Sequence, residues 1–125
     1  MKDLKDKIIA ITGGATGIGF ALAKAFGSEG SKIVIGETRE DKLKEAIVKL
    51  KSLNIDADKT YLDVTDLKSV ENFADFTCER YGHVDMLINN AGISGARGRI
   101  DKVDIEEAKK VFDVNFFGVW QGCSV

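Results

Sequence analysis

The chain has 125 residues, with 20 acidic against 18 basic side chains, a formal charge of -2 and 44% apolar residues, which is the size and balance of one domain with material for a core. It holds no apolar run of the roughly 18 residues a membrane helix needs, no basic cluster for nucleic acid or an anionic membrane, and in Met1 to Asp6 a start too polar for a signal peptide. A cytoplasmic location is expected, with Cys78 and Cys123 as reduced thiols, because they show neither metal-ligand spacing nor the density of a disulfide scaffold.

Lys7 to Ile11 is the first run of branched apolar residues and reads as a strand. The stretch from Thr12 to Gly19 then opens a helix whose Ile18, Leu22, Ala25 and Phe26 form one apolar stripe. Lys32 to Ile35 repeats the strand pattern, and the next helix carries Leu43, Ala46, Ile47 and Leu50. A third strand, Lys59 to Leu62, precedes a helix with Val70, Phe73, Ala74 and Tyr81, and a fourth strand spans Val84 to Ile88. Gly30, Asn54 and Gly82 stand where a left-handed residue ends each helix. Ile8, Ile33, Thr60 and Met86 recur at intervals of 25, 27 and 26 residues without a shared residue pattern, so the units alternate and do not repeat.

A last helix starts near Asp104, an N-cap with Glu107 three residues on. It runs through Ile105, Ala108, Phe112, Phe116 and Val119, and Val111, Val114, Phe117 and Trp120 add a second apolar face. Two such faces require cover on two sides, by the sheet and by a partner chain. The whole pattern is β-α-β-α-β-α-β followed by a helix. It predicts an α/β fold: a Rossmann-like, doubly wound parallel sheet in three α-β-α layers. Right-handed crossovers bring the strand ends to one edge, where such sheets bind ligands.

Chemistry concentrates at that edge. The glycines of Thr12-Gly13-Gly14-Ala15-Thr16-Gly17-Ile18-Gly19 permit a tight turn and a close approach of backbone to a diphosphate, at a helix start that offers free N–H groups and partial positive charge. No Gly-Lys-Ser/Thr follows, which argues against a nucleoside triphosphate loop. Glu37, at the end of strand two, suits the two hydroxyls of an adenosine ribose and repels a 2'-phosphate, so NAD(H) is expected over NADP(H). Its alternative is a solvated acid beside Glu40 and Asp41. Arg39 either reaches a phosphate or lies exposed on the first turn of helix two. Asp63 and Val64 are placed to meet an adenine ring, or Asp63 is a turn or cap residue, since Asp63, Thr65 and Asp66 all precede helix three. Asn89-Asn90-Ala91-Gly92 either ties strand ends together beside a ligand or makes a simple turn. His83 reads as an exposed polar residue in a connection.

Together these motifs and Asn115 resemble the short-chain dehydrogenase/reductase family, over the whole chain. The resemblance implies an oxidoreductase that moves a hydride between NAD(P)(H) and a small alcohol or carbonyl substrate. It implies that Gly13, Gly17, Ile18 and Gly19 bind the diphosphate side, Glu37 the ribose, Asp63 and Val64 the adenine, and Asn90 the region nearer nicotinamide. Asn115 matches the family's helix asparagine that supports a proton relay. The family's acid/base tyrosine is followed four residues later by lysine, but here Thr65 and Asp85 follow Tyr61 and Tyr81 at that distance. Neither Ser94 nor Ser124 stands where the family's substrate serine falls. The chain is therefore expected to be the N-terminal portion, residues 1–125, of a single dinucleotide-binding domain that is an oligomer when complete, truncated after its fourth strand and following helix, and inactive alone.

A strand left without its neighbour exposes unpaired backbone groups, so weak stability or self-association is expected. A sharp, concentration-independent two-state unfolding of a monomer in calorimetry would contradict this. A non-catalytic nucleotide-binding or dimerising module is the alternative, and a methyltransferase-like sheet for another adenosyl cofactor a third reading.

Overall fold

The computed structural model describes residues 3–95 and 98–125; the first two residues of the polar start, Met1 and Lys2, lie outside it with Ala96 and Arg97. The order is β1 (Ile8–Thr12), α1 (Gly17–Ser28), β2 (Lys32–Glu37), α2 (Glu40–Ser52), β3 (Ala57–Tyr61), α3 (Leu67–Tyr81), β4 (Met86–Ile88), α4 (Ile105–Phe112), a π-helical turn (Asp113–Phe117) and α5 (Gly118–Ser124). The strands pair in parallel in the order β3-β2-β1-β4. This is the expected Rossmann-like arrangement.

Alternation along the strands builds the layers. Ile9, Ile11, Ile33 and Ile35 point to one face and bury against Ala23 of α1 and Leu43, Ala46 and Leu50 of α2. Ala10 and Val34 point to the other and pack with Leu62, Val64, Val70 and Phe73. All five residues of β1 are buried. β4 is only partly buried at the sheet edge, in contrast to the full cover its apolar run suggests, because β1 alone pairs with it. Thr12 aligns with Gly36, Ile11 with Ile88 and Glu37 with Tyr61, so the strands end together and one rim collects the loops.

The helix stops are where expected: Gly30, Asn54 and Gly82 all have positive φ, at 92°, 61° and 95°. All four residues assigned to the buried stripe of α2 are buried. In α1 the stripe is met in part: Leu22 and Phe26 pack partly buried against the core, Ile18 is 74% exposed, and the fully buried positions are Gly19, Ala23 and Gly27. Small residues spaced four apart let this helix lie close to the strands. The third strand runs from residue 57 to 61 rather than 59 to 62, and the fourth is shorter than Val84–Ile88. The shortening is at its start: Asp85 stands just before Met86, where its carboxylate accepts the Ile8 N–H at 2.8 Å and meets His83 Nε2 at 3.0 Å.

The last helix departs most from expectation. Asp104 is its N-cap, but its carboxylate accepts from the Glu106 N–H at 3.1 Å, with no reciprocal bond from Glu107 among the described residues. A π-helical turn interrupts it at Asp113–Phe117. The inserted residue shifts the helical register, so Val114 and Gly118 face the sheet while Phe112, Phe116, Phe117 and Trp120 are exposed. Among the described residues no helix is long and apolar enough to cross a membrane.

Candidate functional site

The rim is locked by one threonine and one asparagine. Thr12 is buried at the end of β1, and its Oγ1 accepts the backbone N–H groups of Asn90 at 3.0 Å and Ala91 at 2.9 Å. In return Asn90 Nδ2 donates to the carbonyls of Thr12 at 3.2 Å and Gly13 at 3.1 Å. Gly13 N–H bonds Gly36 O at 2.8 Å, which joins the turn to β2 as well. Of the two readings of the Asn-Asn-Ala-Gly segment, the tie between strand ends is the one observed at Asn90. Asn89 instead donates to Cys123 Sγ at 3.6 Å.

Three glycines of the turn serve different needs. Gly13 and Gly17 have φ of 64° and 56°, a region costly for residues with a Cβ. Gly17 opens onto free space, and a Cβ on Gly13 would lie 3.0 Å from Ala91 Cα. A Cβ on Gly19 would run into the Gly13 carbonyl and Asn90 Nδ2. Gly19 therefore lets α1 start directly beneath the turn.

The start of α1 carries no side-chain cap. Thr16 is its N-cap residue, yet its Oγ1 accepts from Arg39 Nη2 at 3.1 Å. The first-turn N–H groups are thus left for solvent or an anionic ligand.

A cleft of about 820 Å³ runs along the rim. Gly13, Thr16 and Ile18 line it from the turn, Glu37 and Arg39 from the end of β2, Leu62, Asp63 and Val64 from the end of β3, Asn90 to Ile93 from the end of β4, and Lys110, Asp113 and Val114 from the last helices. Glu37 is 9% exposed, and its Oε1 accepts from Arg39 Nε at 3.0 Å. That bond and the nearby carboxylate raise the Arg39 pKa above its ordinary value. Asp63 closes its own turn: Oδ1 accepts from Thr65 N at 3.0 Å and Thr65 Oγ1 at 2.6 Å, while its N–H bonds Ser69 Oγ at 2.9 Å. Val64 is held from behind, where Gln121 Nε2 donates to its carbonyl at 2.7 Å.

The structure thus brings Gly13, Ile18, Glu37, Asp63, Val64 and Asn90 to one cleft. Gly17 forms the open top of the turn and Gly19 its buried floor. Asn115 does not line the cleft; both ends of its amide are engaged by Ile93, accepting from its N–H and donating to its carbonyl, each at 2.8 Å. It positions the segment after β4. Sequence reasoning missed the Thr12 hydroxyl and the Arg39 bridge. The motif spacing held a signal for the first, since a hydroxyl residue at a buried strand end must find partners. Tyr81 lies at the opposite end of the strands, donating to Asp56 at 2.6 Å, and burial with that bond pushes its phenol well above the ordinary range.

A family model described as short chain dehydrogenase matches residues 7–125. The chain is 39% identical over 120 residues to zerumbone synthase of Zingiber zerumbet, covering 95% of this chain and 45% of that one. Among solved structures it superposes on an actinorhodin polyketide ketoreductase with NADPH at a TM-score of 0.92, 29% identity and cover of 99% and 47%. An NAD+-bound xylitol dehydrogenase gives 0.94, 25% identity and cover of 98% and 47%. The chain spans less than half the length of these proteins.

Proposed function

Because the chain belongs to the short-chain dehydrogenase family, we propose that residues 1–125 form the N-terminal, dinucleotide-binding portion of an oxidoreductase acting on an alcohol or carbonyl substrate, with NAD(H) preferred. The observation that carries this reading is the uncapped start of α1 beneath a turn whose Gly19 leaves no room for a Cβ. Backbone N–H groups there would hold a diphosphate. Glu37 would accept the ribose hydroxyls, Val64 would flank the adenine, and Asn90 would fix the rim toward nicotinamide. When bound, the nicotinamide supplies the hydride acceptor or donor. Asn115 would keep the segment around Ile93 in place.

The chain carries no Tyr-x-x-x-Lys, so it should bind cofactor without turning over. A purified chain that oxidises an alcohol with NAD+ at family-like rates would overturn that assignment. The exposed Phe112, Phe116, Phe117 and Trp120 support oligomerisation of the complete protein.

Titration with NADH, followed by nicotinamide fluorescence, is the test: saturable enhancement is expected, and a flat response would contradict the reading. The preference has its own check in Glu37→Ser. Wild type should bind NADH more tightly than NADPH, and the variant should weaken NADH by about tenfold, the loss of charge-assisted hydrogen bonds, while gaining NADPH. A wild type that favours NADPH would show that Glu37 does not select against the 2'-phosphate.

A further inference from the structure

One side chain of α5 reaches back to the turn after β3. Gln121 is half-buried, and its Nε2 donates to the Val64 carbonyl at 2.7 Å, across 57 positions of sequence. Gly118, one turn earlier, is buried and rests on the same residue: a Cβ there would lie 2.6 Å from Val64 Cγ2. Among the described residues the Gln121 bond is the only hydrogen bond between this turn and the last helices. The other ties of the turn are local. Asp63 N–H bonds Ser69 Oγ, and Thr65 N–H bonds Asp63 Oδ1. The peptide joining Val64 to Thr65 is therefore held at both ends, its N–H by Asp63 and its carbonyl by Gln121. Between these anchored peptides lies the one joining Asp63 to Val64, whose N–H has no acceptor among the described residues. Val64 is 8% exposed and lines the cleft. A donor so placed takes its partner from solvent or from a ligand.

Resting on the dinucleotide reading above, we propose that Gln121 is a positioning residue for the base end of the cleft: through the Val64 carbonyl it fixes the direction in which the unpaired Val64 N–H meets the ring. Two considerations support this. Hydrogen bonds weaken steeply when misaligned, and Gln121 supplies the one non-local bond that orients the two peptides around Val64. Adenine also presents a ring nitrogen acceptor beside its amino group, whereas hypoxanthine carries an N–H at that place, which opposes a protein N–H. A well-aimed Val64 N–H therefore separates the two bases, and a loosened one does so less.

The test titrates the full 125-residue chain with NADH and with reduced nicotinamide hypoxanthine dinucleotide, by nicotinamide fluorescence, in wild type, Gln121→Leu and Gln121→Lys. The two ligands differ only in the base, so the ratio of their affinities cancels any general effect on the cleft. Wild type should favour NADH by at least about fivefold, the cost of an unmatched donor. Gln121→Leu keeps the size and loses the donor. It should weaken NADH by about three- to tenfold while the hypoxanthine analogue moves less than about twofold, so the preference shrinks. Gln121→Lys keeps a donor of similar reach and should restore the preference to within about twofold of wild type.

If Gln121→Leu weakens both ligands alike, Gln121 merely supports packing and the proposal fails. It fails equally if the substitution moves neither ligand, if Gln121→Lys restores nothing, or if wild type binds both ligands equally well; in these cases the dinucleotide reading survives. A wild type that binds neither ligand overturns both. Circular dichroism verifies that each variant is folded, and should Gln121→Leu fail to fold, Gln121→Asn, one methylene too short to keep the bond, makes the same comparison.

Discussion

Gly19→Val is expected to abolish NADH binding, a loss of more than about a hundredfold, while most of the sheet survives. The first atom of any side chain at this position meets the Gly13 carbonyl and the Asn90 amide. Neither can withdraw cheaply: Gly13 is tied to β2 through its N–H, and Asn90 Nδ2 bonds the Thr12 and Gly13 carbonyls. The turn must lift, which moves the N–H groups proposed to hold the diphosphate and costs about 1–3 kcal/mol of overpacking. Gly82→Ala provides the control. Gly82 has a φ of 95° and open space around it, and it does not line the cleft. It should therefore lose stability of about 1–2 kcal/mol from backbone strain with unchanged NADH affinity. Calorimetric titration of both variants separates a lost site from a lost fold; a Gly19→Val chain that binds NADH normally would show that the turn is not the cradle.

Thr12→Val carries the second large effect, this time on stability. Valine fills the same volume but accepts no hydrogen bond, so the Ala91 N–H loses its partner and the Asn90 N–H keeps only the Ile88 carbonyl at 3.0 Å. A stranded donor costs about 1–3 kcal/mol. Thr12 is 4% exposed, which leaves little room for a replacement water. The loss should lower Tm by roughly 3–12 °C and loosen the segment after β4 from the end of β1. Thr12→Ser keeps the acceptor and should recover most of the loss. A Thr12→Val chain melting within about 2 °C of wild type would mean that the rim is held by something other than this hydroxyl.

The fold was legible wherever local chemistry and tertiary packing agree. Gly30, Asn54 and Gly82 end helices for a reason internal to the backbone, so no knowledge of neighbours was needed. In α2 the apolar and charged residues separate cleanly, and its stripe followed directly. In α1 the rule of large apolar residues inward holds only in part, because Leu22 and Phe26 are partly covered, the fully buried positions are Gly19, Ala23 and Gly27, and Ile18 is left at the cleft. The π-helical turn has no propensity signature; it exists through the tertiary bonds between Asn115 and Ile93 and the close packing of Gly118 on Val64.

The candidate site shows the same division. Glycine spacing marked the turn, and strand ends marked Glu37, Asp63 and Asn90. The pairing of Arg39 with both Glu37 and Thr16 joins residues 23 apart in sequence, and only the sheet register brings them together. Asp63 illustrates the opposite case, in which the local turn alternative accounts for the bonds that one carboxylate oxygen makes, while Asp66 caps α3.

The central claim is that the amides opening α1 hold the diphosphate of a nicotinamide dinucleotide. Residue-resolved amide NMR during a titration with NAD+ tests it directly. The largest shifts should fall on Gly13 and on Gly17 to Phe20, saturating together with those of Glu37 and Val64. Saturable shifts confined to other parts of the chain, with the Gly13–Gly19 amides unmoved, would contradict it.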